Sequence, residues 1–377
     1  MTKKTRLIIL IFCVVCFFIV APVLVAYSMG YRFDLKKMQV TETGGIYVRT
    51  FPAADKITID SKISEKPGIF SNDIFVQSLL PESHTVSIEK AGYYDYSKTL
   101  AVQEEQVTKL ENVLLIKKNI AFSDFASNID YFSASPNNQN ILASFAGAKS
   151  TTFNYFYLNS TNPAQTFSIP LTATISNIQW SGDSSKALIE AQKSGNDYYY
   201  LFDTTLPKPA ATRLSYLDKN SQQISFDPQD SNTIFYTKNK INYSAKGNVS
   251  VPIIANTTVA TAKIIKSPLT GYKVLTSGDN QNSIYWNNNE IYLYPATTLK
   301  LEKLYSGSQI ANVQWLNNSN IIFTDADKII ISEIDYRGNI NIVTLPQTGS
   351  STFFDQANGK LYVLSGNSLL VSEKITP

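Results

Sequence analysis

From about residue 120 the chain repeats one phrase: an apolar strand start, a polar turn rich in Pro, Gly, Asp and Asn, then a second apolar strand. The copies begin at Ala134, Trp180, Phe226, Lys266, Trp315 and Phe354, so that successive starts lie 46, 46, 40, 49 and 39 residues apart. A period near 40 to 45 with several short strands per copy is that of β-propeller blades. A lone four-stranded sheet cannot bury both of its faces, whereas sheets packed radially cover one another and leave only short edges. The last copy has room for two strands after its turn, Leu361 to Leu364 and Leu369 to Lys374. Closure of the ring is therefore expected to borrow a strand from the segment Val113 to Phe125. The apolar run Val113 to Ile116 is suitable material, although Val107, Leu110 and Leu114 fall at helical spacing and a small preceding domain has its own claim on this stretch.

The opening of the chain constrains the compartment. Twenty uncharged residues run from Leu7 to Ala26, and at about 1.5 Å per residue a helix of that length covers the roughly 30 Å hydrocarbon layer of a bilayer. Lys3, Lys4 and Arg6 precede it, which predicts a single-pass anchor in the cell membrane with residues 1–6 cytoplasmic and the ectodomain outside. A cleaved signal peptide is the competing reading, with Ala26 before the cut. The apolar run is longer than such a core needs, and Leu24 stands where a small residue is expected. Residues 27–43 read as a juxtamembrane linker. The same three cations account for the formal charge of +3, since 33 basic residues face 30 acidic ones. No basic stripe remains for nucleic acid.

Between linker and propeller, residues 44–117 read as a small β domain. Ile46 and Val48 alternate, then Ile57 and Ile59, with Pro52 between them; Val86 and Ile88 alternate after the turn at Leu80 to Ser83, and the strand ends before Gly92-Tyr93. The stretches from Gly45 to Asp60 and from Leu80 to Tyr93 resemble the PEGA domain, a small β-sandwich of surface proteins. The departures are Ala54-Asp55 in place of Gly-Ala, Ser61 in place of the glycine after Asp60, and Glu82-Ser83 in place of a turn glycine. That resemblance implies an accessory surface module without chemistry of its own. The repeated phrase of residues 118–377 is similar to the Ser-Pro-Asp-Gly-type repeat of WD40-like and TolB-like propellers, in degenerate form.

Residues that carry chemistry are scarce. His84 is the single histidine and is expected half-buried or at the surface of its strand, so Ser-His-Asp, Cys-His and His-zinc arrangements are not assembled. Cys13 and Cys16 form a C-x-x-C spacing inside the apolar run, where no polar setting favours thiolates. Asp325 and Asp327 read as a solvated turn. The Ser181-Gly182-Asp183 and Ser277-Gly278-Asp279 triplets begin like a sialidase Asp-box but lack its later Gly and Trp. The aromatic strings from Phe153 to Tyr157 and from Tyr198 to Tyr200 read as packing between blades, and Trp286 to Glu290 as a loop tip. No catalytic, cofactor-binding or metal residue is assigned, and ligand-binding residues are left unknown.

The fold expected is therefore all-β beyond a transmembrane helix at residues 7–26, with a small β-sandwich and a six- to seven-bladed β-propeller. The function expected is non-enzymatic: a membrane-anchored, extracytoplasmic binding or scaffolding protein of the cell envelope, engaging an envelope polysaccharide or surface protein through the propeller and needing no cofactor. A propeller glycoside hydrolase or lyase with paired carboxylates is the alternative. Trp180 and Trp315 head their phrases at equivalent positions, which marks them as packing residues. Replacing either by Ala should cost about 3–5 kcal/mol, read as a lower unfolding midpoint in a thermal melt.

Overall fold

The computed structural model describes residues 3–35, 37–68, 71–158, 160–253 and 269–376. Its one α-helix, Lys3–Ser28, contains the whole uncharged run together with Pro22. None of that apolar surface is buried in the protein, and Phe12, Phe17, Phe18 and Leu24 are all exposed. The segment after it is not a plain linker. Tyr31–Asp34 pairs antiparallel with Gln39–Glu42, the Tyr31 hydroxyl donates to Glu42, and the Thr43 hydroxyl donates to the Gly30 carbonyl at 2.6 Å. These strands are only four residues long, too short for alternation to stand out in the sequence.

The chain divides into two compact units. The first comprises residues 3–119 together with Ser332–Val343, and the second comprises Ile120–Ile331 with Thr344–Thr376. Ser332–Val343, inside the stretch 118–377, clusters with the small domain, while its two ends are strand residues of a propeller sheet.

In the first unit Gly44–Phe51 lies between Asp73–Leu79, antiparallel, and Val107–Leu114, parallel. A second sheet orders Ile63–Glu65, Lys56–Ile59, Ser83–Glu89 and Tyr96–Ala101. The alternating residues Ile46, Val48, Ile57, Ile59, Val86 and Ile88 fill one core with Val113 and Leu115. This is a sandwich of two sheets whose inward positions repeat every second residue. His84 is buried rather than half-exposed, at 4%. Its ring nitrogens lie 2.6 Å from an Asp60 carboxylate oxygen and 2.8 Å from the Leu80 carbonyl oxygen, which ties the turn before Ser83–Glu89 to the end of Lys56–Ile59.

The inserted segment Ser332–Val343 completes this unit with charge. Lys98 is wholly buried; its ammonium donates to the Glu333 carboxylate at 2.6 Å and to the carbonyls of Asp335 and Asn339 at 2.7 and 2.8 Å. Tyr96 donates to the other Glu333 oxygen at 2.7 Å, and burial beside that carboxylate pushes its phenol well above the ordinary range. Burial opposes ionisation of Asp335, yet Arg337 and Lys98 together hold its carboxyl below the usual value. Asn339 and Asn341 act as pseudo-backbone along the edge strand Tyr96–Ala101: their side chains accept from the N–H groups of Thr99 and Ser97, and Asn339 donates to the Ser97 carbonyl. Gly338 has φ +64°, and a Cβ there would stand 2.1 Å from the Thr99 carbonyl oxygen. Only glycine fits that approach.

The second unit holds six four-stranded antiparallel sheets among the described residues, and it is a β-propeller. Blade one is Tyr131–Ala134, Asn140–Ala146, Thr151–Tyr157 and Gln165–Ile169; blade two is Thr174–Trp180, Lys186–Lys193, Asn196–Asp203 and Ala210–Arg213. Blade three is Ser221–Phe226, Thr233–Lys238, Ile241–Lys246 and Val249–Pro252; blade four is Lys273–Thr276, Asn282–Trp286, Glu290–Pro295 and Glu302–Ser306. Blade five is Ile310–Asn317, Asn320–Asp325, Lys328–Glu333 and Ile342–Thr348. Blade six joins both ends of the unit: Ser351–Asp355, Lys360–Ser365 and Ser368–Ser372 are completed by Phe122–Ser127. The first strand of blade one touches the first strands of blades two and six, so first strands ring the axis.

Ring closure thus uses Phe122–Ser127, which overlaps only the end of the stretch Val113 to Phe125. Val113 and Leu114 instead pair in parallel with Thr50 and Phe51 of the small domain, as a strand and not a helix. The small domain takes this stretch because Val113 and Leu115 join its core.

The repeated phrase is the turn between the first and second strands. In each turn a side-chain oxygen accepts the N–H two residues on: Asn137 from Gln139, Asp183 from Ser185, Asp227 from Gln229, Asp279 from Gln281, Asn317 from Ser319, Asp355 from Ala357. These are Asx-turns, which is why Asp and Asn recur there. Blade four corrects the sequence reading. Its turn lies at Ser277 to Gln281, after Lys273–Thr276, and not at the phrase starting from Lys266, whose first residues, 266–268, fall outside the described residues. Ser277 donates to Asp279 at 2.6 Å, as Ser181 does to Asp183.

Phe125 in the closing strand is 6% exposed, with its ring 5.1 Å from Phe156 of blade one and 5.2 Å from Tyr362 of blade six. Phe125→Ala should lower stability by about 3–5 kcal/mol, and because an opened ring presents unpaired edges, it should also raise the aggregated fraction in size-exclusion chromatography.

Candidate binding pocket between blades two and three

Three first strands carry a β-bulge, at Ile175/Asn177, Gln222/Ser225 and Ala311/Gln314. A bulge re-aims the side chains around it, and Gln223 and Asn312 take φ near +51° there. The sequence around each bulge is alike: Asn177-Ile-Gln-Trp180, Gln223-Ile-Ser-Phe226 and Asn312-Val-Gln-Trp315. The apolar members Ile178, Trp180, Val313 and Trp315 are buried.

In blade five those amides are consumed by the fold. Gln314 donates to the Thr352 carbonyl and accepts from the Phe354 N–H, binding blade five to blade six. Between blades two and three they are not. There a cavity of about 220 Å³ is lined by Asn177, Gln179, Leu188, Glu190, Tyr199, Ser221, Gln223 and Ile224. Gln223 accepts from Thr237 at 3.2 Å, while the side-chain amides of Asn177 and Gln179 have no partner among the described residues.

Glu190 is the one charged residue of the lining. Burial raises its pKa above the ordinary carboxylate value, and the nearby Asp197 adds to the rise; hydrogen bonds from Tyr199 and Ser176 offset part of it. The Tyr199 hydroxyl sits 3.4 Å from the carboxylate, and burial together with Glu190 and Asp197 pushes that phenol well up. The pocket therefore offers amides, hydroxyls and one uncompensated acid.

The residues singled out from sequence fall elsewhere. Asp183 and Asp279 serve their turns, as above. Asp325 accepts from the Ser308 and Gln309 N–H groups and from the Tyr305 hydroxyl, and so closes a hairpin. Phe153, Tyr155, Phe156, Tyr199 and Tyr200 are buried; Phe167 stacks on Phe153 at 5.1 Å and on Phe202 of the next blade at 4.7 Å. Trp180 and Trp315 are likewise buried, and Trp315 Nε1 donates to the Leu275 carbonyl of blade four. Asn287 accepts from Asn289 and Glu290 at its loop tip. Cys13 and Cys16 are free thiols in the helix. No group of three or more His, Cys, Asp or Glu with metal-binding proximity occurs among the described residues.

The pocket residues themselves were not picked out by sequence reasoning. The signal was the amide-apolar-polar-aromatic run just upstream of the turn phrase, visible once the repeat is extended three residues backwards.

The strand pairing defines a β-propeller protein, with one N-terminal helix among the described residues long and apolar enough to cross a membrane. No family model and no curated protein matches the sequence. Among solved structures the chain is similar to a luciferin-regenerating enzyme, at 12% identity and TM-score 0.38 over 68% of this chain and 95% of that one. It is similar to the Cps50 (Swd1) β-propeller domain of Myceliophteria thermophila, at 9% and 0.36 over 67% and 99%. A chain of a mitotic checkpoint complex gives 12% and 0.35 over 77% and 83%. At that level of likeness the propeller is established by its own strand pairing.

Glu190 also makes a stability test. A carboxyl whose folded pKa is raised leaves the folded state holding more proton than the unfolded one, so its contribution falls as pH rises through that range. Glu190→Gln should therefore raise the unfolding midpoint at pH 7, by about 1–3 °C given partial solvent screening. The gain should vanish below about pH 4, where the wild-type carboxyl is protonated in both states; differential scanning calorimetry at the two pH values checks it.

Proposed function

We propose that this chain is a membrane-anchored, extracytoplasmic binding protein of the cell envelope, which engages an envelope polysaccharide or surface protein through its propeller. The observation that carries this reading is the helix Lys3–Ser28, whose apolar side chains the protein leaves uncovered. In water such surface costs about 25 cal/mol per Å², and a bilayer removes that cost. Lys4 and Arg6 at the start of the helix favour a cytoplasmic N-terminus, with both compact units outside. The free Cys residues lie only in the helix, so the ectodomain folds without thiols that could mispair in an oxidising compartment.

The small β-sandwich, with its alternating core and its likeness to the PEGA pattern, serves in this reading as a spacer and surface module. A binding role for the propeller is supported by the pocket's lining: amides and hydroxyls with a single carboxyl. Glycoside hydrolysis needs two carboxyl groups about 5–9.5 Å apart across the substrate. Asp197 lies close enough to raise the pKa of Glu190 but is not part of the lining, so the hydrolase reading is the second choice.

The full-length protein should remain with membranes after carbonate washing, and protease added outside intact, permeable-walled cells should leave only an anchor fragment. Purified in detergent, it should retain envelope polysaccharide without releasing reducing ends. Protection from external protease would overturn the topology, and release of reducing sugar would turn the reading to the hydrolase.

A further inference from the structure

The geometry points to a saccharide bearing a free amine as the occupant of the pocket between blades two and three, its ammonium against Glu190 and its hydroxyls on the amides of Asn177 and Gln179. This deepens the binding reading above and rests on it.

Three independent features of the cavity converge. The first is size: about 220 Å³ lies below the 300–1,000 Å³ of sites that enclose drug-sized molecules, and is on the scale of one sugar ring. The second is the lining. Leu188 and Ile224 are its only apolar members, against Asn177, Gln179, Glu190, Tyr199, Ser221 and Gln223. Asn177 and Gln179 keep both donor and acceptor groups uncommitted. Paired hydroxyl groups satisfy such amides, since a hydroxyl donates and accepts at once. A lysine side chain would bring four methylenes to a wall with little apolar surface, which argues against a peptide.

The third feature is charge. The ionisable groups that act most on Glu190 and Tyr199 are Asp197, Asp218 and one another, and Lys238, opposite the lining residue Ser221, is held by Asp218 at 2.7 Å. A neutral ligand would seal the carboxylate away from water without a compensating cation, which is costly. An ammonium forms a charge-assisted hydrogen bond there instead, with the Tyr199 hydroxyl beside it. The third-strand position of Tyr199 and its burial fix that hydroxyl before any ligand arrives.

The test uses the full-length protein in detergent micelles, titrated calorimetrically with a β-1,4-linked glucosamine tetramer, its fully N-acetylated counterpart and a tetralysine peptide. The expected result is binding of the free-amine oligomer at least tenfold tighter than of the acetylated one. Glu190→Gln should abolish that preference while its unfolding midpoint is not lowered, and Gln179→Ala should weaken both oligomers together. Equal affinity for the two oligomers would overturn the ammonium assignment and leave a neutral-saccharide binder. Tighter binding of the peptide would overturn the saccharide assignment. Binding of none of the three would overturn the inference altogether; retention of envelope polysaccharide by wild type and Glu190→Gln alike would then show that the binding reading survives it.

Discussion

The propeller depends on one pairing, that of Phe122–Ser127 with Ser368–Ser372. A ring of sheets covers the faces of all its blades only if its two ends are held together, and here the outer strand of blade six comes from the start of the unit while its other three come from the end. Each blade then covers the face of the next, and the apolar residues of second and third strands, such as Leu188, Ile189 and Phe202 in blade two, find partners on both sides. Phe125 sits at this joint against aromatic rings of blades one and six. The closing strand is short and bulged at Asp124/Ala126, so side-chain packing reinforces a ladder of few hydrogen bonds.

The first strands, which form the inner ring, carry polar residues beside their bulges. Bulges re-aim the amides beside them, and some of the first strands' polar groups bind one blade to the next. Gln314 bridges to blade six, and Ser133 donates to the Ile178 carbonyl of blade two. Between blades two and three the amides of Asn177 and Gln179 have no partner among the described residues, around a cavity where the Tyr199 hydroxyl meets the Glu190 carboxyl. A candidate site arises where the scaffold's own hydrogen bonding is incomplete.

The small domain solves a different problem, an open sheet edge. Tyr96–Ala101 is a border strand, and side-chain amides of Asn339 and Asn341 take the place of a neighbouring strand along it. The fully buried Lys98 specifies where that segment sits, because its ammonium needs the Glu333 carboxylate and two carbonyls in fixed positions. A buried charge of this kind contributes little net stability but penalises every other arrangement.

How much of this was legible follows from the range of the forces involved. Local rules reached the helix, the alternating core of the sandwich, the propeller class and the packing role of the tryptophans, because an apolar run, a period of two and a recurrent Asx-turn are written within a few residues. The blade-four turn was misplaced by this same reasoning, since Pro268-Leu-Thr-Gly271 imitates the phrase while Ser277-Gly-Asp279 performs it. Tertiary structure alone decided which apolar strand closed the ring: Val113 and Phe125 are equally suitable by composition, and only the cores waiting for them differ. It likewise decided that Ser332–Val343 clusters with the small domain, and that Glu190, paired with Asn177 in the adjacent strand, shares a cavity with Gln223 of another blade. The sequence by itself determined which residues seek burial and which seek hydrogen bonds; the partners were assigned by packing, because partners distant along the chain meet only when the sheets are stacked.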